Sequence, residues 1–112
     1  MVVQSSVTIA AGATTDVLVN NINAVVDPNS RGALVKFAYT SSAVGLTAAG
    51  WIGQRNVIEE GGVSTQNRMP IDPDDTVDRN LPARPNERIR LLVTNTTGGG
   101  LSFYYRVNVD EV

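Results

Sequence analysis

The stretch 88-RIRLLVTNTTGGGLSFYYRVNV-109 decides the fold, because two runs of alternating apolar and polar residues flank a glycine-rich turn signal. In the first run Ile89, Leu91 and Val93 fall on one face. In the second run five residues share a face: Leu101, Phe103, Tyr105, Val107 and Val109. A period of two is typical of half-buried strands. The stretch therefore predicts a long C-terminal β-hairpin that turns at 95-NTTGGG-100.

The same period recurs upstream, in an opening strand with Val3, Val7 and Ile9 and again in 33-ALVKFAYT-40, whose second face is also partly apolar. Short apolar pieces separated by glycines fill 41–65, and no window keeps a helical stripe for three turns. Seven or eight short strands predict an all-β, antiparallel β-sandwich, jelly-roll-like, in a single domain over 1–112. A small α+β domain with one helix within 40–66 is the alternative.

The composition argues against several function classes. The absence of cysteine and histidine removes disulfides, thiolate nucleophiles, the usual zinc sites and imidazole acid–base chemistry. The net charge is −2, and the first twelve residues contain no lysine or arginine. Neither feature indicates nucleic-acid binding. With neither a signal peptide nor a membrane span recognisable, we expect synthesis in a cytoplasm and no membrane insertion. No cofactor is expected.

The segment 69-MPIDPDDTVDRN-80 gathers four aspartates within seven residues: Asp72, Asp74, Asp75 and Asp78. A helix–loop–helix calcium site would need a glycine at the sixth position and a glutamate at the twelfth, which the segment lacks. A looser calcium site in a β-protein loop remains open. The simpler interpretation is turn chemistry, in which aspartate side chains accept bonds from nearby backbone amides and Pro73 fixes the bend.

No catalytic arrangement stands out, and we predict a protein that is not an enzyme. The pairs Glu59–Glu60 and Asp74–Asp75 are adjacent in sequence, so on a strand their members point to opposite sides instead of converging. Lys36 lies in the middle of a strand, where a lone lysine is more often solvated than catalytic. Trp51 stands between glycines and either stacks on a sugar or base or fills a core or an interface.

Arginine supplies eight of the nine basic residues, and protein interfaces favour arginine over lysine. Four arginines follow the aspartates directly: Arg79, Arg84, Arg88 and Arg90. Either these charges pair or face solvent within one subunit, or the acidic segment of one copy meets the basic segment of a neighbour. We favour the second, which predicts an interface containing these arginines together with Asp72, Asp74, Asp75, Tyr104, Tyr105 and Trp51.

The chain resembles small virion proteins of bacteriophages. The likeness lies in a short sandwich free of cysteine and histidine that opens with VVQSSVTIAAGATTDVLV and closes with RIRLLVTNTTGGGLSFYYRVNV. It is architectural and brings no functional residues with it. In that group such domains are single-jelly-roll capsid subunits or cement and decoration proteins.

The resemblance implies a structural protein located in the virion that forms homo-oligomers or docks on other virion proteins. The alternative is a carbohydrate- or receptor-binding module of a phage tail or fibre. That module would use Trp51 and the loop from Asp72 to Asp78, stabilised by calcium. A small enzyme is the third option, and it would require a cleft with convergent carboxylates.

Overall fold

Eight β-strands and no helix make up the protein in a computed structural model that describes all residues 1–112. The all-β prediction is confirmed, and the alternative of a helix within 40–66 is wrong, because that segment forms β4 and β5. No helix is present that has the length and apolar character to cross a membrane. The strands are β1 Val2–Ile9, β2 Thr14–Asp16, β3 Ala33–Ser41, β4 Leu46–Ile52, β5 Arg55–Gly62, β6 Thr76–Ala83, β7 Ile89–Asn95 and β8 Leu101–Glu111.

The strands form two antiparallel four-stranded sheets that enclose a common core, so the predicted β-sandwich is confirmed. One sheet has the order β1-β8-β3-β6 and the other the order β2-β7-β4-β5. Four antiparallel pairs are nested one inside the next, namely β1 with β8, β2 with β7, β3 with β6 and β4 with β5. In the first sheet β8 also pairs with β3, and in the second sheet β7 also pairs with β4. These two pairings join the nested pairs into sheets.

The predicted C-terminal hairpin is wrong, because β7 and β8 belong to different sheets. Residues 96–100 carry the chain from one sheet to the other. The buried amide of Asn95 holds this crossing by donating to the carbonyls of Ile9 at 2.9 Å and Gly99 at 2.8 Å. Alternation shows which residues of a strand point inward, but strands facing each other across a core and strands paired side by side alternate in the same way. The sequence pattern therefore predicted both strands correctly and their pairing incorrectly.

The core is filled mainly by aliphatic side chains from the inner faces of both sheets, in a chain with few aromatic residues. Phe37 and Phe103 are its largest fully buried side chains. The Phe103 ring lies 5.5 Å from that of Tyr39 and 5.9 Å from that of Tyr105, within the range of favourable aromatic contacts. The centre of the sandwich is thus an aromatic cluster surrounded by valine, leucine and isoleucine.

The outer face of β3 is largely covered by the chain itself, which explains its apolar character. Ala38 and Thr40 are buried there, although they point away from the core. The connection from β5 to β6, residues 63–75, packs on this face, and the Thr40 hydroxyl donates to the carbonyl of Arg68. Leu34 is the large apolar side chain of β3 that stays exposed. Most of the second face of 33–40 is therefore not available to a partner.

Replacing Phe103 with alanine tests the packing. We expect the free energy of unfolding to fall by about 3–5 kcal/mol, since the substitution removes a fully buried ring and leaves a cavity. Val44→Ala is the control, because Val44 is 82% exposed and its truncation should change stability by no more than about 0.5 kcal/mol. Urea unfolding followed by tryptophan fluorescence measures both. Similar losses in the two variants would contradict the assigned core.

Candidate functional site

A polar cleft of about 590 Å³ lies at the end of the sandwich where the β4–β5 turn meets the β6–β7 connection. Its volume is that of a ligand site, but no hydrophobic residue lines it, which is unusual for a small-molecule pocket. Four arginines dominate the lining. The cleft consists of Gly53, Gln54, Arg55, Arg84, Asn86, Glu87, Arg88 and Arg90. We call it the arginine cleft.

The structure brings together three of the four predicted interface arginines in this cleft, together with Arg55, which the sequence reasoning missed. The tight β4–β5 turn at residues 53–54 brings Arg55 to the same end of the sandwich as the β6–β7 connection. Arg55 could have been placed at this end from the sequence only by predicting that β4 and β5 pair through a tight turn. Arg79 lies elsewhere, beside a smaller pocket of about 240 Å³ that Lys36 and Asp110 also line.

The backbone of the β6–β7 connection is fixed by hydrogen bonds to two neighbouring segments. Val26 donates to the Glu87 carbonyl at 2.9 Å, and Asn86 donates back to the Val26 carbonyl at 2.9 Å. Gly53 donates to the Arg88 carbonyl at 2.8 Å. Asn86 has a φ of 67°, a left-handed conformation that asparagine tolerates better than most residues. The arginines of the cleft therefore stand on a backbone that is already ordered.

Glu87 is the carboxylate at the centre of the cleft. Its Oε1 accepts a bond from the Arg84 backbone amide at 2.7 Å and another from the Arg55 guanidinium at 2.7 Å. The amide of Arg84, followed by the guanidinium of Arg55, holds the pKa of Glu87 below its usual value. A side chain at position 53 would collide with this carboxylate, so Gly53 is needed for its position. Glu87 thus orders the loop and offsets one of the four positive charges.

Arg88 and Arg90 each have partners inside the subunit, while their predicted place at an interface stays a prediction. The Arg88 Nη2 donates to the carbonyl of Leu18 at 2.9 Å and to the carbonyls of two other residues in the β2–β3 connection. Arg90 has its Nε 3.6 Å from an oxygen of Asp16. Reversing the charge of Arg88 would therefore disturb folding as well as any interface.

Trp51 is a partner of Arg90 in the structure and not an open stacking platform. The Arg90 guanidinium lies 5.9 Å from the centroid of the indole, in the range of a cation–π contact. The indole Nε1 is buried and has no hydrogen-bond partner. The ring face that a sugar or base would stack on is thus shared with an arginine of the same chain.

The Arg84 guanidinium makes no hydrogen bond or ion pair within the subunit, because only the Arg84 backbone amide bonds to Glu87. Its charge still acts on Glu87 at longer range and helps to lower the pKa of that carboxyl. The cleft and its border contain two carboxylates, Glu87 and Asp16, against four guanidinium groups. The excess of positive charge is notable in a chain whose net charge is −2. The cleft can therefore accept a further carboxylate or another oxyanion, for which arginine is well suited.

The four aspartates of 72–78 do not converge on one point. Asp72 pairs with Lys36 at 2.8 Å, while Asp75 is buried and accepts from the Arg68 Nε at 3.1 Å. Asp78 accepts the backbone amide of Arg79 at 2.8 Å. No three acidic side chains in the structure stand close enough together to hold a metal ion. The arrangement agrees with turn chemistry and gives the calcium interpretation no support.

Asp74 differs from its neighbours, because it is exposed and its side chain has no hydrogen-bond or ion-pair partner. It lies in a turn closed by the bond from the Asp75 amide to the Ile71 carbonyl at 2.8 Å and by that from the Thr76 amide to the Pro73 carbonyl at 3.1 Å. The Thr76 hydroxyl also donates to Asp72 at 2.8 Å. We call residues 71–76 the acidic turn. It presents one free carboxylate from an ordered backbone.

The two adjacent tyrosines point to opposite sides of β8. Tyr105 is buried in the core, so it is not an interface residue, and burial raises the pKa of its hydroxyl. Tyr104 faces outward and donates to Asn67 at 3.1 Å. On the inner side, burial and then the charge of Asp78 raise the pKa of Tyr39 to about 12. Only Tyr104 of the pair can contact another molecule.

Comparison of the chain with protein-family models, with curated proteins and with solved structures found no match.

Replacing Asp75 with asparagine tests the ion pair under the acidic turn. The Arg68 guanidinium lowers the pKa of Asp75 in the folded state. The pair therefore stabilises the fold fully above the unfolded value of 3.8 and is lost as the pH falls through the lower folded value. We expect Asp75→Asn to cost about 1–3 kcal/mol at neutral pH.

The matched control is Asp74→Asn, which should leave stability at neutral pH unchanged because Asp74 has no partner. Urea unfolding of all three proteins across the acid range provides the comparison. The gap between the wild type and Asp75→Asn should close as the solution becomes more acidic than pH 3.8. A gap that is independent of pH would show that the charge of Asp75 is irrelevant.

Proposed function

We propose that this chain is a structural virion protein, either a capsid subunit or a subunit that decorates and cements a capsid. The observation that carries the proposal is the nested strand order, with pairs β1–β8, β2–β7, β3–β6 and β4–β5 divided between two sheets. This order supports the jelly-roll assignment, since a jelly roll arises when an antiparallel ribbon is folded over on itself. Viral capsid domains are among the proteins that use this fold.

The exposed edges of the sandwich support self-association. β1 and β6 are the edge strands of one sheet, and β2 and β5 are those of the other. Three of these edge strands, β1, β5 and β6, are each eight residues long, and an edge strand of that length presents unpaired backbone groups to which another chain can add. In a small sandwich with three such edges, contacts between copies are the expected use.

The side-chain chemistry fits a structural role better than an enzymatic one. Three carboxylates that could be considered for acid–base catalysis each form an ion pair with a basic side chain of the same subunit. They are Asp72, Asp75 and Glu87. The binding-module alternative relies on Trp51 and a calcium-binding aspartate loop. Trp51 lies against Arg90 and the aspartates are dispersed, so no specific observation favours that alternative.

The partners that the proposal implies are other copies of this chain and other virion proteins. Synthesis in a host cytoplasm followed by residence in the virion is the corresponding localisation. Contact with the packaged genome would be weak, made by arginines elsewhere in the chain, or left to another component, because the N-terminal dozen residues contain no lysine or arginine.

The mass of the purified protein in solution tests the proposal. Light scattering during gel filtration, near physiological salt, should give a trimer, a pentamer or a larger assembly of the 11.9 kDa chain. Added calcium should change neither the mass nor the melting temperature. A strict monomer whose melting temperature rises with calcium would overturn the proposal and favour the ligand-binding module.

A further inference from the structure

We propose that the arginine cleft is a docking site for the acidic turn of a second copy, so that copies join head to tail. The inference rests on the proposed self-association and specifies its contact. It assigns the free carboxylate of Asp74 in one copy to the free guanidinium of Arg84 in the next.

The cleft and the turn cannot meet within one subunit. β6, from Thr76 to Ala83, separates the acidic turn from Arg84 and pairs with β3 from Ala38 to Ala33, with irregularities in the register. This stretch of β3 spans on the order of 16 Å, several times the reach of an ion pair. The two groups therefore lie toward opposite ends of one edge strand, and the partner of each must come from another molecule.

Charge and order favour each site as the partner of the other. Arg55, Arg84, Arg88 and Arg90 supply more positive charge than the neighbouring carboxylates offset. Arg84 in particular has no acceptor for its side chain, just as Asp74 has no donor. Both groups project from backbone that hydrogen bonds already fix, so docking must order their side chains but little of the backbone.

The chemistry of the cleft also fits a carboxylate on a narrow turn. Its lining contains no apolar residue, so burial of a hydrophobic side chain would gain little there. Its volume of about 590 Å³ can admit a few residues of a turn. A planar guanidinium can bind both oxygens of a carboxylate at once, which gives the contact a defined orientation.

Each copy has one cleft and one turn, so the contact is heterologous. Such contacts generate rings when the rotation between neighbours closes and filaments when it does not. Every copy in a closed ring would use both sites. The two ends of an open chain would each leave one site free.

The first experiment measures the mass of two charge-reversed variants by light scattering. Arg84→Glu and Asp74→Lys should each weaken self-association at least roughly tenfold, because each places like charges together at the contact. Their melting temperatures should stay close to that of the wild type, since neither side chain makes a hydrogen bond or ion pair within the subunit and the charges of Glu87 and Arg68 act on them only at longer range. The controls are Arg31→Glu and Asp110→Lys, which make the same charge changes at exposed positions that lie outside both sites and outside the edge strands.

Mixing the two variants gives the decisive result. Arg84→Glu retains an intact acidic turn, and Asp74→Lys retains an intact cleft. An equimolar mixture should recover self-association, because one contact between the two variants pairs the native Asp74 with the native Arg84, and the other pairs the introduced lysine with the introduced glutamate. High salt should dissociate this mixed assembly, since about 1 M salt shortens the screening length to about 3 Å.

The possible failures are distinguishable. If the wild type assembles and both variants assemble equally well, the inference is overturned while the proposed function stands. If both variants are monomeric and the mixture also stays monomeric, the contact is not head to tail and the inference is overturned. A wild type that remains monomeric overturns the proposed self-association, and the inference with it.

Discussion

Burial of alternate side chains from both sheets in one common core is the constraint on which the rest of the structure depends. A chain of 112 residues can enclose only one such core, and here it is filled by valine, leucine and isoleucine around Phe37 and Phe103. The strands that close the core run between the two ends of a molecule about 43 Å long. Polar and charged residues are thereby confined to the outer faces, the edge strands and the connections at the ends.

The charged residues divide into a larger group that the subunit uses internally and a smaller one that it leaves free. Lys36, Arg55 and Arg68 each pair with a carboxylate on a connection, and Arg88 binds backbone carbonyls of the β2–β3 connection. These contacts hold the long connections against the sandwich. Arg84 in the arginine cleft and Asp74 in the acidic turn are among the charged side chains that remain without such a partner, and β6 lies between them.

The sequence predicted the class of fold because period-two alternation directly reflects which side chains are buried. It did not predict the pairing of β7 and β8, since inward alternation is the same for strands side by side and strands opposed across a core. It predicted that the arginines after residue 78 matter, and three of the four line one cleft. It could not distinguish Arg88, which folding requires, from Arg84, which is free, because that difference depends on the position of the β2–β3 connection.

The most direct test of the account is a crosslink between copies. Arg84→Lys keeps the positive charge and places an amine in the cleft of a chain whose only other lysine is Lys36. A carbodiimide, which joins a carboxylate to an amine, is added to a mixture of ¹⁴N- and ¹⁵N-labelled copies, and the crosslinked peptides are identified by mass spectrometry. The Lys36–Asp72 pair, 2.8 Å apart, should crosslink within single copies and serves as the internal standard. The account predicts crosslinks between position 84 and the peptide containing Asp74 that include species combining both isotopes, whereas crosslinks at position 84 that are exclusively single-isotope, or no crosslinks there, would contradict it.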